Sequence, residues 1–210
     1  MAALLDRHGR TFAAELGVDV AKGTPSPLFR MLCYALLSGA RISADLAVRG
    51  AKALAEAGWT TARKMADSGW EQRARTLNEA GYARYDERTA GMLGDTSVLL
   101  LDRYGGDLRR LREQAQRDPD AERRLLKQCK GVGDVGVDIF FREVQAAWQE
   151  LVPFADERAL SAARRLGLGG DARTLARTTG RGGPQVARLV AALVRCDLAG
   201  DYDAVRAAAG

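Results

Sequence analysis

The sequence predicts an all-α protein, and three observations carry that prediction. No stretch alternates apolar and polar residues with the period of two that a half-buried strand requires. Apolar residues recur instead at helical spacing, in segments separated by glycine and proline. Between Leu125 and Phe141, two helical segments meet at a Gly-x-Gly hairpin around which the rest of the chain is organised. There is no internal repeat and no low-complexity tract.

The elements follow in order. Residues 1–20 have a helical pattern, with Leu4, Leu5, Phe12 and Leu16 as buried positions and His8, the one histidine, at the surface. Gly23-Thr24-Pro25-Ser26-Pro27 reads as a linker at a domain boundary, because two prolines and small polar residues disfavour helix. From Leu28 to Leu37 the chain is nearly continuously apolar, as in a helix at the centre of a helical domain, and Ser38-Gly39-Ala40-Arg41 closes it. Residues 43–57 and 60–68 read as helices, with Trp59 and Trp70 as core or lid residues. Gly81-Tyr82-Ala83-Arg84-Tyr85 is a glycine-led loop with two aromatics and an arginine. Two helices follow, at 88–104 on Met92, Leu93, Val98, Leu99 and Leu101, and at 107–117 with a solvated arginine face. Beyond the hairpin, Ile139, Phe140, Val144 and Trp148 form a core stripe, and 159–166 and 185–198 supply two more helices. Gly180 to Pro184 joins these two, as a connector or as an approach to nucleic acid.

In the hairpin, the first arm at about 121–129 is rich in helix formers, and Gly131-Val132-Gly133 breaks it, since glycine tolerates positive φ without a Cβ clash. Asp134 suits the N-cap of the second arm. Free N–H groups and the positive end of that arm make an anion site that fits a phosphate, although the same triplet also serves as a plain turn. Asp134 and Asp138 weigh against an anion there. About twenty residues later, Val152-Pro153-Phe154-Ala155-Asp156 is an extended approach that delivers an aspartate to the start of another helix.

Composition agrees without deciding. A chain of 210 residues, 47% hydrophobic and 28% charged, is an ordinary water-soluble globular protein with room for one large domain or two small ones. A net charge of +5 and a pI near 9.4 favour a polyanionic partner. Arginine greatly outnumbers lysine, which occurs only at 22, 52, 64, 127 and 130; guanidinium suits bidentate phosphate contacts, and a GC-rich gene gives the same bias. Cys33, Cys129 and Cys196 are too scattered for metal-ligand spacing and read as reduced thiols. With no signal peptide and no membrane-length apolar run, the cytoplasm is the expected compartment.

The hairpin followed at this distance by Asp156 resembles the helix-hairpin-helix (HhH-GPD) DNA glycosylase superfamily, most closely its endonuclease III branch. Ser26-Pro27-Leu28-Phe29 through Leu36-Leu37-Ser38 looks like that family's early Asn-Pro-Phe helix ending in Leu-Leu-Ser, and Gly81-Tyr82 through Tyr104-Gly105-Gly106-Asp107-Leu108 like its middle segment. The likeness covers about residues 25–200. It implies two helical subdomains flanking a DNA-binding cleft: residues 25–140, including the helix-hairpin-helix, and residues 1–24 with 141–210.

The likeness also implies an enzyme of base-excision repair that acts as a monomer on double-stranded DNA holding a damaged or mispaired base, associates with the nucleoid and does not engage membranes. Asp156 matches the catalytic aspartate, whose carboxylate stabilises the positive charge that builds on the sugar as the N-glycosidic bond breaks and can orient the attacking water. A helix N-terminus favours its ionised form, and plain N-capping is the structural alternative. Lys130, Gly131, Val132, Gly133, Val135 and Gly136 fall where the family contacts DNA, and carbonyls of Cys129 and Val132 fall where it holds a monovalent cation. Arg41, or Ala40 by a one-residue shift, takes the gap-filling place, with a solvated arginine as the alternative. Tyr82 takes the wedge place, with ordinary packing as the alternative.

Three departures matter. Four closely spaced C-terminal cysteines are absent, so no iron–sulfur cluster is expected. Val135 stands where bifunctional members carry a nucleophilic lysine, which implies a monofunctional glycosylase without AP-lyase activity; Lys130 is the substitute that lyase chemistry would need. Glu157-Arg158 replaces the usual Thr-His. A DNA-binding module that kept the fold and lost the chemistry is the rival reading.

Overall fold

Two short helices open the chain: α1 (Ala2–His8) and α2 (Phe12–Glu15), the second started by Thr11, whose hydroxyl accepts the Ala14 N–H. A 3-10 turn at Val20–Lys22 ends on Gly23 in the left-handed region, and α3 (Pro25–Ser38) begins two residues later. The expected linker is thus shorter than its composition implied. Pro25 and Pro27 lie in the first turn of α3, where a missing N–H removes a donor that would have no helical partner.

The chain continues through α4 (Ala44–Glu56), α5 (Ala62–Asp67), α6 (Trp70–Glu79), α7 (Asp86–Tyr104), α8 (Leu108–Gln114), α9 (Pro119–Leu126) and α10 (Asp134–Val144). A 3-10 turn at Gln149–Leu151 precedes α11 (Glu157–Arg165), α12 (Ala172–Thr178), α13 (Gly183–Ala199) and α14 (Tyr202–Ala207). These elements come from a computed structural model that describes residues 1–39, 42–180 and 182–208, and every regular element among the described residues is helical. None is long and apolar enough to cross a membrane.

The chain divides into two units, residues 18–140 and residues 1–17 with 141–210, the second division falling inside α10. In the 18–140 unit, α3 packs against α4, α7 and α8, and α7 also carries α5 and α6. Leu28 to Leu37 are all buried except Arg30, as a central helix requires. In the other unit α13 plays that part, against α1, α11 and α12, with Val186, Ala187 and Leu189 to Val194 buried.

Buried polar side chains fix the N-terminal segment to the second unit. Glu143, 2% exposed, accepts the N–H groups of Phe12 (3.2 Å) and Ala13 (2.9 Å), two donors that the start of α2 leaves free. Arg195 pairs with Glu15 and stacks over the Phe12 ring at 4.0 Å. His8, expected at the surface, is largely covered instead. Its Nε2 lies 2.8 Å from Asp201 Oδ2, which also accepts from Arg7 at 3.0 Å.

Candidate functional site

The hairpin forms as its residue types dictate, with shifted edges. The first arm ends at Leu126, and a turn through Cys129 leads to Gly131 at φ +89°. A Cβ on Gly131 would lie 2.6 Å from Met92 Sδ and push that flexible side chain aside, but it is the positive φ that calls for glycine there. Val132 is buried, and its N–H donates to the Cys129 carbonyl at 3.0 Å. Gly133 differs from Gly131 in both respects: its φ is outside the left-handed region, and a Cβ on it would meet nothing within 4 Å. A Cβ on Gly136 would lie tight against Val132 Cγ1 of the hairpin, at 3.3 Å, and in ordinary contact with the Ala35 carbonyl of α3, at 3.6 Å.

Charges surround the hairpin in pairs. Asp134 is the first residue of α10, its carboxylate pairs with Lys127 Nζ (2.8 Å), and that hydrogen bond holds it below the usual carboxylate range. Arg123 reaches Asp138 at 2.6 Å, and Lys130 Nζ reaches Asp95 at 2.7 Å. Val135 is 62% exposed on the first turn of α10. Thus 131, 133 and 135 present an open, largely uncharged strip, and the flanking cations are held by acids.

The other expected residues fall as follows. Arg41 and its alternative Ala40 lie outside the described residues. Tyr82 is 2% exposed and its hydroxyl donates to the Leu37 carbonyl at 2.9 Å. A wedge must stand free of the core, so the structure corrects this expectation: the exposed tip of that loop is Ala83 and Arg84, with the Arg84 guanidinium 5.4 Å from the Tyr85 ring centre.

Asp156 lies in the other unit as the N-cap of α11, with Oδ1 accepting the Ala159 N–H at 3.3 Å. Its Oδ2 is 2.9 Å from Arg142 Nη2, in a pair whose side chains are 8% and 9% exposed. Arg142 comes from the last turn of α10. Glu157 and Arg158, the departures from Thr-His, point away into ion pairs with Arg164 and Asp197.

No family model and no curated protein matches the sequence. Solved structures do. One shows a trapped endonuclease III–DNA covalent intermediate in an estranged-adenine complex; it is 19% identical, with a TM-score of 0.52 over 80% of this chain and 73% of that one. Another is the H. pylori 3-methyladenine DNA glycosylase MagIII bound to 1,N6-ethenoadenine, 16% identical, with a TM-score of 0.57 over 88% of this chain and 94% of that one. The chain has the helix-hairpin-helix DNA glycosylase fold.

Within this fold, sequence inspection passes over two side chains. Gln145 is fully buried and its amide pairs in both directions with the backbone of Phe154, accepting its N–H at 3.0 Å and donating to its carbonyl at 3.0 Å. This ties the loop that carries Asp156 to the end of α10, and the Phe141 and Phe154 rings meet edge-on at 5.4 Å beside it. Arg142 is the other. A polar residue in an apolar helix reads as a solvated face, and only the later loop folding back makes these two internal. The three cysteines are buried, and no three His, Cys, Asp or Glu side chains gather as metal ligands among the described residues.

Proposed function

We propose that this protein is a monofunctional DNA glycosylase of base-excision repair, in which the Asp156 carboxylate drives hydrolysis of the N-glycosidic bond of a flipped, damaged or mispaired base. The observation that carries the proposal is Asp156 itself: a carboxylate fixed at a helix start by Ala159 and Arg142, on a loop clamped by Gln145, in this fold. A carboxylate has about four lone-pair sites, and the two held ones leave capacity for an attacking water or for the cationic sugar.

Monofunctional chemistry is supported by Val135, which has no nucleophile, and by the ion pairs that tie Lys127 to Asp134 and Lys130 to Asp95. The hairpin strip at 131–136 is proposed to hold a backbone phosphate, and Gly133 supports this because no neighbour among the described residues demands a glycine there. A monovalent cation is proposed on the carbonyl oxygens of Cys129 and Val132, where it would offset phosphate charge. No iron–sulfur cluster enters the proposal. The protein works as a monomer on duplex DNA, in the cytoplasm at the nucleoid.

One observation favours the rival reading, a binding protein without chemistry. Both Asp156 oxygens are engaged and the side chain is 9% exposed, as a structural N-cap and ion pair would be. End-labelled duplexes, each with one lesion, separate the two when treated with the protein and then analysed with and without hot alkali. Breaks only after alkali are expected, and Asp156→Asn should abolish them while leaving duplex affinity within about twofold. Duplex binding with no release from any lesion establishes the rival, and breaks without alkali establish a lyase.

A further inference from the structure

The unit formed by residues 1–17 and 141–210 carries a basic feature separate from the hairpin. Arg173 and Arg177 stand four residues apart on α12, hence on one face. They border a cavity of about 350 Å³ whose lining among the described residues also includes Val152, Pro153 and Ala176. The wall is cationic and the floor apolar.

Several arginines of this unit are met by carboxylates, Arg7 by Asp201, Arg158 by Asp197, Arg164 by Glu157, Arg195 by Glu15 and Arg206 by Asp203, while Arg10 and Arg188 donate to the carbonyls of Ala14 and Gly9. Arg173 and Arg177 have no such partner among the described residues. Arg177 donates to the Thr174 hydroxyl at 2.9 Å. The neighbouring Asp171 feels the Arg177 charge, but its oxygens are engaged by the Thr174 N–H (2.9 Å) and hydroxyl (2.7 Å). Another cavity, lined in part by Arg49, Lys52, Glu56 and Glu79 in the 18–140 unit, shows the contrast, because there each cation has an acid in the same wall.

We propose that Arg173 and Arg177 clamp one backbone phosphate of bound DNA, with its deoxyribose lying on Val152 and Pro153. The proposal rests on the DNA-binding reading above and adds a second anchor to it. Guanidinium forks match phosphate oxygens, and an apolar floor suits the face of a sugar better than a free ion. Pro153 lies three residues before Asp156, so the strand held here is held on the loop that presents the catalytic carboxylate.

The test is the salt dependence of duplex binding, read by fluorescence anisotropy from 50 to 300 mM salt. Both arginines are exposed, so R173Q/R177Q should keep the wild-type melting temperature. Its log–log salt slope should fall in magnitude by about 1, with affinity several-fold weaker at moderate salt. The control R49Q/K52Q removes the same charge and should leave the slope near wild type. An unchanged slope in R173Q/R177Q, or an equal loss in the control, overturns the clamp. A wild-type chain that binds no duplex at any salt overturns the DNA reading itself, which is a separate result.

Discussion

The two hairpin glycines give a residue-scale test of whether this loop serves the fold or a ligand. Gly131 serves the fold: its φ of +89° calls for glycine. Gly131→Ala should therefore lose about 1–2 kcal/mol of stability, the penalty of a Cβ in the left-handed region. Gly133 has open space around it and a φ outside that region, so Gly133→Ala should leave stability unchanged or raise it slightly through the unfolded state. Its effect should appear on DNA. A methyl group interposed where the backbone meets a phosphate should weaken duplex binding by about tenfold, equivalent to about 1.4 kcal/mol. Thermal melts and anisotropy on both variants check this, and wild-type affinity in a stable Gly133→Ala protein would remove the hairpin from the interface.

At the scale of elements, α3 shows what the sequence could convey. Its apolar run is long enough to announce a buried central helix, and burial has a titration consequence. Cys33 on α3 and Cys129 before the hairpin are pushed up to about 12, by burial first in both cases. Both values lie above the ordinary 9.0, so the stability these thiols contribute is full below pH 9 and falls as pH rises from there toward 12. Native protein at pH 8 should leave both unreactive to Ellman's reagent until denaturant is added, and rapid native labelling of either would show that the helix is less enclosed. Helices such as α3, α7 and α13 span several turns and were legible from period alone. α12 and α14 were not, since six or seven residues with two buried side chains apiece show no period. The Asp156 helix start was visible from Pro153 and an acid in sequence, but its Arg142 and Gln145 partners depend on a tertiary fold-back. The Tyr82 loop misled for the same reason: an acceptor 45 residues away, the Leu37 carbonyl, draws an apparent surface aromatic inward.

At the scale of the whole molecule, the unit that carries Asp156 is assembled from both ends of the sequence, so the first seventeen residues should control it from a distance in the chain. Leu4, Phe12 and Leu16 are each at most 5% exposed, and burying such side chains contributes roughly 1.5–3 kcal/mol apiece. Removing residues 1–17 would also leave the Glu143 carboxyl buried without the two N–H donors it accepts, and strip Glu15 from Arg195 and the Arg7 and His8 partners from Asp201. An uncompensated buried ionisable group costs about 3–5 kcal/mol. These losses together rival the 5–15 kcal/mol that holds a typical domain. A chain lacking residues 1–17 should therefore lose protection across 141–208 while residues 18–140, with their own core around α3, stay folded. Hydrogen exchange read by mass spectrometry distinguishes the outcomes: exchange confined to 141–208, with base release abolished, is expected. Retained protection there would mean that α13 organises the Asp156 unit without α1, and that the N-terminal segment is an accessory to the fold.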